Sequence, residues 1–133
     1  MTDVRSEPTW LDSKFALAVH DRQLSEHGGI TGVRDAGLLE SALNRPVNRW
    51  SYGEDDLLVL AATYGSGLAR NYPFLDGNTR TAWVVARSFL RSNGVTIGFR
   101  QEDAIATVQA LAAGELEEEK LADWFRQHLA KPG

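Results

Sequence analysis

From Leu57 to Ala69 the chain carries no charge, and nearly every position is apolar or small. Leu57, Leu60, Ala61, Tyr64, Gly65 and Leu68 recur at helical spacing. Ala61, Ala62, Gly65, Ser66, Gly67 and Ala69 leave room for neighbours to approach closely. A helix that is apolar on most sides has to be buried, so the rest of the chain must pack around this one. Asp55 or Asp56 can cap its start. Pro73 ends it near Asn71, because the residue before a proline is pushed out of helical geometry. The longest apolar run, Leu57 to Ala62, is far short of the roughly 20 residues that cross a bilayer.

The flanking segments also read as helices. Leu11, Phe15, Ala18 and Val19 give an inner face for a first helix over Asp12 to Glu26, ended by His27-Gly28-Gly29. Asp35 caps a second helix with Leu38, Leu39, Ala42 and Leu43 inward, and Pro46 is expected to stop it. Residues 46–54 then read as a loop presenting Trp50 and Tyr52. A fourth helix runs from Asn78 to Ser92 with Ala82, Val85, Ala86, Phe89 and Leu90 inward. Val95 to Phe99 suggests a short extended hairpin arm. Gln101 to Ala113 is a fifth helix on Ile105, Val108, Leu111 and Ala112. Glu117 to Leu129 is a sixth, on Leu121, Trp124, Phe125 and Leu129. The expected class is all-α, a bundle of six helices in a single domain over residues 1–133.

Composition narrows the function classes. The chain has 133 residues, no cysteine and a net charge of −4. A disulfide scaffold and thiol chemistry are excluded, and the cytoplasm is the expected compartment. Met1 to Pro8 mixes charges of both signs without an apolar stretch, so no secretory leader is read there. Overall acidity disfavours a nucleic-acid binder. The charge is nonetheless uneven. Residues 70–100 hold five arginines (Arg70, Arg80, Arg87, Arg91, Arg100) against one acid, Asp76, whereas each flank is net acidic. The acidic run Glu115, Glu117, Glu118, Glu119 complements the macrodipole at the start of the sixth helix, and no function is assigned to it.

The positive stretch contains the residues that could do chemistry. Asp76-Gly77-Asn78 reads as a tight turn in which glycine frees the backbone, and Asn78 reads as the cap of the helix that follows. The amides of Thr79, Arg80 and Thr81 would then be unpaired in the first turn, which suits an anion. Arg80 offers a planar cation for phosphate oxygens. Asp76 offers one carboxylate, and Mg²⁺ is commonly held by one carboxylate plus substrate phosphates. A capped loop-to-helix junction without function would have much the same sequence. Among the histidines, His20 reads as a hydrogen-bonded structural residue, His27 as a helix-end cation and His128 as solvated. None has the spacing of a zinc site.

The stretch from Tyr72 to Arg80 resembles the signature of the Fic/Doc family, HxFx(D/E)(G/A)N(G/K)R. Phe74, Asp76, Gly77, Asn78 and Arg80 match it in register. The likeness continues through Thr81–Gly94, covers Leu17–Pro46 and includes Gly114–Arg126, where it is similar to the Doc ("death on curing") branch. The resemblance implies a Fic/Doc-like fold and a loop that binds ATP and Mg²⁺. By position, Asp76 would hold Mg²⁺. Gly77, Asn78, Thr79, Arg80 and Thr81 would cradle phosphates, with Arg80 neutralising their charge. Phe74 would anchor the loop in the core. It further implies phosphate or AMP transfer to a hydroxyl of a protein such as elongation factor Tu, restrained by a separate Phd-type antitoxin. The 46–54 loop would take the place of the flap that lays a target segment beside the site.

Two positions depart from the signature. Tyr72 stands where the family has its histidine base. Phenols ordinarily titrate near about 10, and losing a general base lowers rates by about 10²–10⁴. Tyr72 therefore marks either an inactive relative or a substitution that silences a toxic protein. Thr79 stands where the Doc branch has lysine and Fic members often have glycine. Two functions follow: a Doc-type transferase toxin impaired at Tyr72, or a non-catalytic module that keeps only nucleotide or partner binding.

Overall fold

The computed structural model describes residues 5–130. Residues 1–4 of the stretch read for a leader, and 131–133, lie outside the described residues. Six helices follow in order: α1 Ser13–His27, α2 Ala36–Ser51, α3 Leu57–Asn71, α4 Asn78–Ser92, α5 Gln101–Ala112 and α6 Glu118–Gln127. The all-α expectation holds.

α3 is the axis of the bundle. Leu58 and every residue from Leu60 to Ala69 are buried, and α2, α4 and α6 pack directly on it. Small residues set these approaches. A Cβ added at Gly67 would sit 3.4 Å from the Ala42 Cβ on α2, and one at Gly65 would sit 3.1 Å from Leu121 on α6. α4 buries Ala82, Val85, Ala86, Phe89 and Leu90, as its spacing requires.

Several expectations are corrected. α2 does not stop at Pro46 but runs on to Ser51. The ring forfeits one helical hydrogen bond, at a cost of about 3 kcal/mol. Continued packing offsets it, since Pro46 is buried and Trp50 lies against the core. Residues 46–51 are thus helix and not a flap, although Tyr52 is 93% exposed.

The inner face of α1 is Ala16 and His20, with Leu17 and Val19 half-buried and Phe15 and Ala18 exposed; the helix packs on α4, and His20 stacks on Phe74 of the loop before it. α5 buries Ala104, Thr107 and Leu111 and leaves Ile105 and Ala112 exposed. The arm at 95–99 forms no hairpin. Ile97 makes an isolated bridge with Leu129, which is exposed and lies beyond α6.

His128 is half-buried rather than solvated. It stacks on Trp124 with ring centroids 3.8 Å apart. Glu118 leaves the acidic run and is buried, paired with Arg45 and Arg49 and accepting from the Thr63 hydroxyl.

Candidate active site

The segment between α3 and α4 is short and heavily tied. α3 ends on Tyr72, which takes a left-handed conformation, φ 48° and ψ 54°. It is the sole described non-glycine residue with positive φ. Arg34 accounts for its persistence. The Arg34 backbone N–H donates to the Pro73 carbonyl at 2.7 Å, its Nε to the Tyr72 carbonyl at 2.6 Å and its Nη2 to the Asn71 carbonyl at 2.8 Å. One residue thus bonds three successive carbonyls, of which those of Asn71 and Tyr72 are ones the end of a helix otherwise leaves unpaired. The Tyr72 side chain is 52% exposed.

Residues 32–35 run antiparallel to 73–75. Val33 bridges Phe74, and the Leu75 N–H donates to the Gly32 carbonyl at 3.0 Å. Phe74 is buried in the core and stacks on His20.

Asn78 is not the cap of α4. Gly77 holds that position with φ 71° and ψ 20°, a left-handed backbone that glycine adopts without penalty. Asn78 is the first helical residue. Its carboxamide turns back to accept from the Phe74 N–H at 2.9 Å and to donate to the Phe74 carbonyl at 3.0 Å, closing the loop on itself.

The set of free amides shifts accordingly. The Thr81 N–H donates to the Gly77 carbonyl at 3.1 Å and its hydroxyl is buried, so Thr81 offers no donor to a ligand. The first-turn amides become those of Asn78, Thr79 and Arg80. A left-handed residue followed by a helical one turns successive N–H groups toward one concavity, a geometry that suits anions.

Asp76 flanks this concavity and is exposed. Its Oδ1 accepts from the Gly77 N–H at 2.9 Å and its Oδ2 from the Ile30 N–H at 3.2 Å. No group of three or more potential metal-ligating side chains occurs among the described residues.

Arg80 is exposed, forms no ion pair among the described residues and opens onto a groove of 760 Å³ between the end of α1, α4 and α5. Trp83, Arg87, Phe99, Ile105 and Val108 also line it. Arg87 lies over the Phe99 ring, its guanidinium carbon 5.1 Å from the centroid. Burial, and secondarily the charge of Arg91, pulls the Arg87 guanidinium below its usual pKa.

The match to known proteins falls on this framework. The model described as "Fic/DOC family" matches residues 10–90, from before α1 to the last turn of α4. The chain belongs to the Fic/DOC family. Among curated relatives of this Fic/DOC chain, "Protein kinase doc" of Escherichia phage P1 is 40% identical over 112 residues, 84% of the chain and 88% of that protein. "Toxin Doc" of Mycolicibacterium smegmatis is 47% identical over 73 residues, 53% of the chain and 55% of that protein.

In this Fic/DOC chain the fold gathers Tyr72, Asp76, Gly77, Asn78, Thr79 and Arg80 on one turn. Sequence reasoning overlooked Arg34, which looks like any exposed surface charge, and the Ile30 N–H, which carries no side-chain signal. His20 reads correctly as a hydrogen-bonded structural residue: it is 2% exposed, with Nε2 2.8 Å from the Asp76 carbonyl.

Proposed function

We propose that the chain is a Doc-type toxin of a toxin–antitoxin pair, silenced in its present form by Tyr72. The scaffold suits an ATP- and Mg²⁺-dependent transferase that moves phosphate, or AMP, to a hydroxyl of a translation protein such as elongation factor Tu. The observation that carries this reading is the start of α4, where the free amides of Asn78, Thr79 and Arg80 follow the turn that bears the Asp76 carboxylate and Arg80 has no ion pair among the described residues. Backbone donors and a guanidinium fixed before the reaction are the apparatus phosphoryl transfer needs.

One exposed carboxylate with both oxygens already accepting N–H groups is too little for an all-protein metal cage. It fits a Mg²⁺ held mainly by phosphate oxygens and water. Bound there, the metal would neutralise phosphate charge. Asp76 would hold it, and the α4 amides and Arg80 would orient the phosphates.

The partner we propose is a Phd-like antitoxin whose acidic amphipathic segment folds into the α1/α4/α5 groove. Its apolar floor of Trp83, Phe99 and Val108, edged by Arg80 and Arg87, complements such a segment.

The test is Tyr72→His. Growth arrest on expression, with ATP-dependent labelling of a translation factor, is the expected outcome. The alternative, a binding module without catalysis, is favoured by the phenol at the place of the base. It predicts that Tyr72→His stays harmless and unlabelled while calorimetry still detects MgATP, with the heat lost in Arg80→Ala.

A further inference from the structure

We propose that His20, on α1, is the positioning residue of the 74–78 turn, setting the direction in which the Gly77 N–H points. The ring touches three residues of that turn. It stacks on Phe74 with centroids 3.9 Å apart and planes 9° from parallel. Its Nε2 lies 2.8 Å from the Asp76 carbonyl oxygen. Its edge faces Gly77, where an added Cβ would come within 3.8 Å of the His20 Cδ2.

A carbonyl only accepts, so Nε2 carries the proton and donates. In a trans peptide the C=O and N–H point in opposite directions. Drawing the Asp76 carbonyl inward onto a side chain 2% exposed therefore turns the Gly77 N–H outward, to where it meets Asp76 Oδ1 at 2.9 Å. The peptide that leads into the α4 amides and the residue bearing the carboxylate are set by one imidazole from another helix. A phenyl ring could fill the same space and keep the stack on Phe74, but it could not hold the carbonyl. That difference separates positioning from packing.

The inference rests on the phosphate-site reading only for its consequence in ligand binding. The test uses the full chain labelled with ¹⁵N. The wild-type imidazole should show a protonated, slowly exchanging Nε2. His20→Phe should move the Gly77 amide resonance and weaken MgATP binding about 10- to 100-fold, the usual effect of losing a group that orients a ligating residue. His20→Gln, which keeps an N–H donor, should restore most of both.

A folded His20→Phe variant with an unchanged Gly77 resonance and unchanged MgATP affinity overturns the proposal. So does a wild-type imidazole protonated on Nδ1 alone. If the wild type does not bind MgATP, the phosphate-site reading fails, and the Gly77 resonance decides the role of His20. If His20→Phe does not fold, the wild-type imidazole spectrum decides it.

Discussion

The Nε of Arg34 lies 2.6 Å from the main-chain oxygen of Tyr72, the residue whose backbone is left-handed. A non-glycine side chain in that region costs of order 1–3 kcal/mol and persists only where its surroundings hold it. Arg34→Ala should therefore destabilise the fold by about 1–2 kcal/mol, the worth of hydrogen bonds from a charged donor. At position 72 itself, β-branched residues fit the left-handed region worst, whereas Asn and His are enriched there. Thermal unfolding should place Tyr72→Asn at or above the wild type and Tyr72→Val below it. The same reasoning makes Tyr72→His a tolerated change, so loss of folding should not confuse the functional test.

Glu118 sits between two arginines. Its carboxylate pairs with Arg45 at 3.0 Å and with Arg49, and also accepts from Thr63 at 3.1 Å. It ties α6 to α2 and α3. Because the carboxylate side chain is only 11% exposed, removing it strands a guanidinium pair in partly desolvated surroundings. Glu118→Ala should cost about 2–3 kcal/mol, reduced from the fully buried case because Arg45 and Arg49 reach water. The exposed Arg126–Asp56 pair is the control. Arg126→Ala, which breaks the pair but leaves the Asp56 cap of α3 intact, should cost under about 1 kcal/mol, as urea titrations of the two variants would show.

Legibility followed how much of each element's burial is apolar. α3 and α4 were plain in the sequence because their buried positions are apolar at helical spacing. The inner face of α1 was not. It buries a small residue and an imidazole, Ala16 and His20, the latter stacked on Phe74, whereas the larger apolar Phe15 faces outward. Ile105 misled in the same way on α5, where Ala104 is the buried neighbour. Pro46 failed as a stop signal because tertiary packing continues beyond it. At the site, Asp76, Gly77 and Arg80 were legible as residue types. The pair of hydrogen bonds between Asn78 and Phe74 was not, since a helix-start Asn looks the same whether it caps or closes a loop.

Tyr64 gives the fold an alkaline limit. Its hydroxyl accepts from the Leu11 N–H at 3.0 Å inside the core. Burial, above all, raises its pKa to about 12, against 10.0 ordinarily. The unfolded chain therefore releases this proton first. The contribution is whole below pH 10 and is lost as pH rises toward about 12, amounting to at most about 2–3 kcal/mol. Tyr64→Phe should be less stable at pH 7 by about 1–2 kcal/mol, because Leu11 loses its partner. The gap to the wild type should close between pH 10 and pH 12 in denaturant titrations. A gap that stays constant would show that the phenol is not held neutral by the fold.

Asn78 provides the sharpest separation between loop closure and ligand contact. Its carboxamide uses one acceptor and one donor on the same residue, Phe74, at 2.9 and 3.0 Å. No other side chain of that length supplies both. Asn78→Asp keeps the acceptor but sets a carboxylate against the Phe74 carbonyl, and Asn78→Ala supplies neither. Each should cost about 1–3 kcal/mol, the penalty for partly buried backbone groups left unpaired. Asn78→Asp should be no better than Asn78→Ala despite its near-identical shape. Hydrogen exchange should accelerate at the Phe74 amide in both variants. Because the side chain is committed to the loop, a phosphate bound as proposed would meet Asn78 through its backbone N–H alone. MgATP affinity should therefore fall in step with the Phe74 protection factor across the two variants, and an affinity that drops while Phe74 stays protected would assign the carboxamide to the ligand instead.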